Sequence, residues 1–244
     1  MSLKMGLSDI CIRFGENVSD FIYPKKCILC NSFVNYGKKV SLCSDCINII
    51  NLCNGVIKRE GAYFEEAVYA FKYDGYVKEA MTDIKFRNLK YLSETFGYGI
   101  YNTVKERGFI KNTSVICPVP LSPLRDRDYN QSYMIAKAFS KYISIPVYAD
   151  ILIKPVNLEP LSKMDYRKRN YMVKGTFSYN PKYDISGKSV CLIDDIYTTG
   201  STANECARVL KLWGADKVYV LAACYAESKE GSKHHNAYSD ISNQ

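Results

Sequence analysis

VCLIDDIYTTGSTANECA, residues 190–207, decides how this chain of 244 residues is read. Four apolar residues, Val190 to Ile193, close on two acids, Asp194 and Asp195. A turn rich in hydroxyls, Ile196 to Thr202, then runs into a segment rich in Ala, Glu and Leu. The apolar run predicts a buried strand, and the segment from about Thr199 to Trp213 predicts a helix closed by Gly214 as its C-cap. The unit is therefore strand, turn and helix.

At a helix N-terminus the first backbone amides lack an internal partner and the macrodipole is positive. An oxyanion placed there meets donors that already point at it. Gly200 permits close backbone approach or a left-handed conformation, and Thr198, Thr199, Ser201 and Thr202 each bring a hydroxyl donor. Asp194 and Asp195 stand where carboxylates accept hydrogen bonds from vicinal ribose hydroxyls, as one does in dinucleotide sites. An ordinary helix cap accounts for a Thr or Ser after a strand, and for an acid near the first turn. The joint pattern of strand, two acids, Gly turn and helix favours a phosphorylated ribose instead.

On either side, strands alternate with helices. Between Gly75 and Gly108, apolar residues recur at helical spacing (Val77, Met81, Ile84; then Leu92, Phe96, Ile100, Val104) with a break near Asn88, which predicts two helices. Ser114 to Pro123, SVICPVPLSP, reads as a buried strand entering a loop, and a helix comes next over roughly Asn130 to Tyr142. ISIPVYADILIKP holds a short strand or two, SKMDYRKRNYMVKGTF a basic helix or loop, and KVYVLAACYA the last strand. This order predicts an α/β fold, a mainly parallel sheet with helices on both faces, whose ligands sit beyond the carboxyl ends of the strands. The expected division is a small module at 1–60, a main domain at 61–226 and a disordered tail at 227–244.

With 33 Lys and Arg against 25 Asp and Glu, the formal charge is +8. That balance suits anionic partners such as phosphorylated metabolites, nucleic acid or an acidic membrane surface, and a merely solvated basic surface equally well. The 47% hydrophobic content excludes disorder of the whole chain, and no apolar run reaches membrane-spanning length. No secretory signal is evident, so a cytoplasmic location is expected, at the inner face of the membrane through partners.

Six of the ten cysteines fall in residues 1–60. Cys27, Cys30, Cys43 and Cys46 form C-x2-C-x12-C-x2-C, two knuckles able to place four thiolates around one tetrahedral Zn2+. Such a site has no open coordination position, so its role is structural; it supplies folding free energy that so small a module lacks. Cys11 and Cys53 are left as packed or free thiols.

The strand, acids and TTGST turn resemble the signature by which type I phosphoribosyltransferases bind PRPP. By that resemblance Asp194 and Asp195 contact the ribose 2′ and 3′ hydroxyls, and Thr198 to Thr202, Gly200 included, hold the 5′-phosphate. CPVPLSPLRDRDYNQ, just past a strand end, resembles the loop that holds pyrophosphate, which assigns Pro120, Leu121, Arg125, Arg127, Asn130 and Gln131 to that edge. Guanidinium forks suit such a group. With the four-cysteine ribbon and the stretch from Leu158 through Arg167, Arg169, Asn170 and Phe177, the chain resembles the ComF (ComFC-type) late-competence family of phosphoribosyltransferase-like proteins. The family has a glycine where Asp128 follows Arg127.

The resemblance implies a role in DNA uptake during natural transformation, beside a competence DNA helicase and DNA-processing proteins. It also implies Mg2+ bound together with PRPP. Catalytic turnover stays open, with no residue legible as a general base. A single-stranded DNA module without turnover is the alternative, since Tyr166 to Tyr171 interleave tyrosines with Lys and Arg as stacking platforms do. A sensing regulator built on the same fold is a third.

Overall fold

The structure, a computed structural model, describes residues 24–35, 37–57, 59–87, 89–121, 129–154 and 177–227. The elements come in the order α1 (Ser44–Ile49), β1 (Gly55–Ile57), β2 (Glu66–Lys72), α2 (Gly75–Arg87), α3 (Leu92–Val104), β3 (Thr113–Pro118), α4 (Gln131–Ile143), β4 (Leu152–Ile153), β5 (Ser178–Tyr179), β6 (Ser189–Tyr197), α5 (Ser201–Leu212) and β7 (Lys217–Tyr225). A five-stranded sheet has the order β1-β2-β7-β6-β3, parallel throughout except for the antiparallel β1–β2 pair. β4 and β5 form a separate antiparallel pair.

The two strands in the middle of the parallel run, β7 and β6, are buried on both faces, which is why they read as unbroken apolar runs rather than alternations. On one face Ile116, Cys191, Ile193 and Leu221 pack with Val77, Met81 and Ile84 of α2, Phe96 and Ile100 of α3, and Ile135 and Phe139 of α4. On the other face Val190, Leu192, Val218 and Val220 meet Ala203, Cys206, Ala207 and Leu210 of α5 together with Leu152 and Tyr179. Helices thus cover both sides of the sheet. Each fully buried Phe, Leu or Ile removed from water contributes about 1.5–3 kcal/mol.

Local signals set the helix ends. Asn130 is extended and its Oδ1 accepts from Tyr133 N at 3.3 Å, capping α4. α5 starts after Gly200 and stops where Gly214, at φ 90°, succeeds its C-cap. Gly97 lies where α3 crosses α4: a Cβ there would come within 2.6 Å of Ala138 Cβ, so only a bare Cα allows this approach.

Three features differ from the sequence reading. AVYAFK, not assigned to a strand, is β2, and it pairs in parallel with β7. Residues 55–57, counted with the N-terminal module, form the edge strand β1 of the main sheet. The cysteine-bearing segment is also continuous with the main core. Cys27, Ile28, Leu42, Cys46 and Ile50 share one apolar cluster with Phe71, Phe96 and Ile100. Ser41 N donates to Thr95 Oγ1 at 2.7 Å, and Asn102 Nδ2 donates to Asn51 Oδ1. Among the described residues no helix is long and apolar enough to cross a membrane.

Candidate functional site

The four cysteines come together. The Sγ atoms of Cys27, Cys30, Cys43 and Cys46 all lie within 4.8 Å of one another, with Cys30 and Cys43 at 3.6 Å. Four sulfurs at about 2.3 Å from a tetrahedral zinc sit about 3.8 Å apart, so a donor set gathered this tightly could hold a metal ion such as Zn2+. Local structure aims them. After Cys27, Asn31 takes a left-handed φ of 62° and Cys27 N donates to Ser32 O at 2.8 Å, turning Cys30 back toward its partner. Cys43 caps α1, accepting from Cys46 N, and that turn brings Cys46 inward. Burial raises the thiols of Cys27 and Cys46, whereas hydrogen bonds with Ser32 pull Cys30 down to about 6. A bound dication would hold all four as thiolates.

The second cluster gathers at the carboxyl end of β6. Gly200, at φ 73°, precedes α5, and no side chain caps that helix. Thr198, Thr199, Ser201 and Thr202 are exposed around a buried Gly200. Thr199 Oγ1 and Ser201 Oγ are 3.0 Å apart, and Thr199 Oγ1 lies 3.4 Å from Ser201 N, too long for a strong cap. The turn therefore presents hydroxyls and helix-end amides to solvent. Beneath it the Tyr197 ring, 2% exposed, packs against the Gly200 Cα.

The two acids diverge, because successive residues of a strand face opposite sides of the sheet. Asp194, 7% exposed, points to the α5 side, where its charge acts on Cys206 and Tyr197. Burial first, and then the neighbouring Asp195, raise its carboxyl well above the ordinary range. Asp195 points to the α2 side, where its Oδ2 lies 3.1 Å from Lys85 Nζ and its Oδ1 accepts from Ile196 N at 2.8 Å.

Past β3, Val119 N donates to Ile193 O at 2.8 Å and continues the ladder toward the acids. Pro120 and Leu121 come next, half-buried. The Asn130 side chain is committed to backbone: besides capping α4, its Nδ2 donates to Val119 O at 2.9 Å. Gln131 is 2% exposed, and its Nε2 has no hydrogen-bond partner among the described residues. Arg125 and Arg127, and the stretch from Leu158 to Asn170 with Tyr166 to Tyr171, lie outside the described residues, as do Cys11 and the tail from 228 onward.

Two cations that sequence reasoning did not place stand at this edge. Lys85 reaches Asp195 from α2, and Arg59, carried by the β1–β2 connection, donates from Nη1 to Thr199 O at 2.8 Å. Arg59 also stands near the Tyr197 phenol, where its charge offsets part of the rise that burial gives that group. That connection is fastened along α5 by Tyr63 N to Asn204 Oδ1 at 2.8 Å and by Lys211 to Glu65 at 2.9 Å. A basic residue on a helix end or in a turn gives no signal of such a tertiary partner.

No family model matches the chain. Competence protein F of Haemophilus influenzae is 25% identical to it over 202 residues, 79% of this chain and 88% of that protein. The chain is a homologue of this competence protein. Competence protein ComFC of Bacillus subtilis is 28% identical over 142 residues, 57% of this chain, and the matched part spans 55% of ComFC. Among solved structures, the allosteric regulatory enzyme of purine biosynthesis is 20% identical at a TM-score of 0.38, covering 54% of this chain and 25% of its own. An alanine mutant from an analysis of an invariant aspartic acid in HPRTs is 14% identical at a TM-score of 0.35, covering 66% of this chain and 73% of its own.

Proposed function

We propose that this competence-protein homologue binds a phosphoribosyl diphosphate of the PRPP class at the carboxyl end of β6, and that it acts in DNA uptake. The observation that carries the reading is the turn before α5: an uncapped helix N-terminus ringed by Thr198, Thr199, Ser201 and Thr202, with Gly200 bringing the backbone down onto the Tyr197 ring. Directly upstream, half-buried Asp195 offers acceptors for a sugar diol, and Asp194 backs it from inside through the hydrogen bond from Asp195 N to Asp194 Oδ1 at 2.9 Å. The 5′-phosphate meets the helix amides and hydroxyls, and the diphosphate lies toward Pro120, Leu121 and the loop carrying Arg125 and Arg127.

Mg2+ fits this arrangement as a companion of the ligand rather than as a resident ion. The protein offers one half-buried carboxylate, already paired with Lys85, and Mg2+ is usually held by one or two carboxylates plus substrate phosphates and water. When bound it would neutralise diphosphate oxygens. Displacement of pyrophosphate at the ribose C1 by a nitrogen nucleophile is the reaction such a site supports, through positioning and charge stabilisation.

Calorimetric titration of the full chain with PRPP and Mg2+ tests the reading. Saturable heat is expected, and folded protein giving none at millimolar ligand would refute it.

A second activity, single-stranded DNA binding, draws support from two cation–aromatic pairs made by lysines of the cysteine-bearing segment. Lys26 lies 5.9 Å from the centroid of Phe33, which is 66% exposed, and Lys25 lies 5.7 Å from that of Tyr91. Asp194→Asn with Asp195→Asn separates the two activities: phosphoribosyl binding should be lost while DNA binding persists or strengthens at about 50 mM salt. Absence of DNA binding by the unaltered chain under those conditions removes the second activity alone.

A further inference from the structure

Lys85 is the cation that the fold carries deepest into this edge. It stands in the last turn of α2 with its side chain 15% exposed, and among the described residues Asp195 alone pairs with its ammonium. A lysine ammonium is strongly hydrated, and withdrawing it from water has a free-energy cost that one partly exposed ion pair scarcely offsets. Asp195 takes one of three donors.

The neighbours of Lys85 tie its helix turn to the end of β3. The carbonyl of Ile84 accepts from Tyr129 Oη. The residue after Tyr129 is Asn130, whose Nδ2 holds Val119 O at the end of β3. The last turn of α2 is thereby tied both to Asp195 on β6 and to the segment that closes the loop after β3. Lys85 thus stands beside the acid assigned to the sugar diol, on a helix turn tied through Tyr129 and Asn130 to the strand end assigned to the diphosphate.

Charge makes the same demand. Asp195 lies at this edge, and a carboxylate repels a diphosphate brought next to it. A cation beside the acid eases that conflict, and Lys85, paired with Asp195, is such a cation.

We propose that Lys85 is a ligand-binding residue: its ammonium joins Asp195 to the diphosphate on the ribose C1, and the site thereby prefers a phosphoribosyl diphosphate over ribose 5-phosphate. This rests on the phosphoribosyl reading above. A lysine that served only to brace Asp195 would support both ligands alike, because both carry the same diol.

The test is titration of the full chain with PRPP and, separately, ribose 5-phosphate, each with Mg2+, for the wild type, Lys85→Met and Lys85→Arg. Lys85→Met is expected to weaken PRPP at least about tenfold and ribose 5-phosphate by less than about threefold, with Lys85→Arg holding PRPP within about threefold. Equal losses for both ligands in Lys85→Met, or no loss for either, overturn the inference and leave the phosphoribosyl reading standing. A wild-type chain that binds neither ligand sinks that reading itself. Thermal unfolding confirms that each variant is folded, and Lys85→Gln, which keeps a donor for Asp195, supplies the same comparison where Lys85→Met does not fold.

Discussion

Replacing Gly200 by alanine tests the turn on which the proposed phosphate site depends. Two separate costs arise there. The backbone sits at φ 73°, a left-handed conformation that costs a residue with a Cβ about 1–2 kcal/mol. The new Cβ would also lie 2.9 Å from Tyr197 Cε2 and still closer to its Cζ and Oη. Tyr197 is 2% exposed, so its ring has no free space to retreat into, and forced overpacking of this kind costs about 1–3 kcal/mol more. The sum is about 2–5 kcal/mol. Gly61 supplies an internal control: its φ is 67°, yet a Cβ there meets nothing within 4 Å. Gly61→Ala should therefore show the backbone cost alone. Urea unfolding of both variants, monitored by far-ultraviolet circular dichroism and by fluorescence of the single tryptophan, Trp213, measures the difference. Gly200→Ala is expected to be less stable than Gly61→Ala by about 1–3 kcal/mol. Equal stability within about 0.5 kcal/mol would show that the Tyr197 ring does not press on the turn, and the account of the turn seated on that ring would fail.

The metal and the buried acid give two further expectations. With the four cysteines holding a metal as proposed, stripping it with a chelator, or by Cys43→Ser, should cost at least about 2 kcal/mol, a fall in Tm of about 4–8 °C for a chain of this size. Hydrogen exchange should quicken in α3 as well as in the ribbon, through the Ser41–Thr95 hydrogen bond and the shared core; protection in α3 that is indifferent to metal would contradict the continuous core. Asp194 has a folded-state pKa raised first by burial and then by Asp195, so the folded chain holds its proton more tightly than the unfolded chain does. Its contribution to stability is present at low pH and is lost as pH rises from the unfolded carboxyl value through the raised folded one. Asp194→Asn should accordingly raise Tm near pH 7 and lose that advantage toward about pH 4; a variant less stable than wild type at neutral pH would mean that the charged form is supported in place.

Legibility in the sequence tracked the range of the interactions. β6 and α5 were readable because a strand buried on both faces is an unbroken apolar run, and because Gly214 closes the helix locally. The four-cysteine cluster was readable because ligand spacing encodes the knuckles directly. β2 escaped because AVYAFK is short and lies directly before the helical pattern of α2, so the two runs merge. The feature that identifies it as a strand is its parallel ladder with β7, distant in sequence: Val68 pairs with Leu221 and Phe71 with Cys224. The continuity of the ribbon with the main core was equally hidden, since cysteine spacing carries no information about the packing partners of Ile28, Leu42 and Ile50.

The acids show the same limit more sharply. Read as a pair, Asp194 and Asp195 stand as equals before a sugar diol. Strand geometry forbids that equality, because a period of two sends neighbours to opposite faces. One face belongs to α5, and there Asp194 is enclosed with Cys206 and Tyr197 and driven toward its neutral form. The other belongs to α2, and there Asp195 meets an ammonium. A carboxyl kept neutral is able to donate a hydrogen bond, whereas one held beside a lysine only accepts. Two identical side chains in succession thus acquire different chemistry from the helices laid against them. The helix that separates their roles is α2, whose Lys85 looks in sequence like any basic residue placed at a helix end to face the dipole.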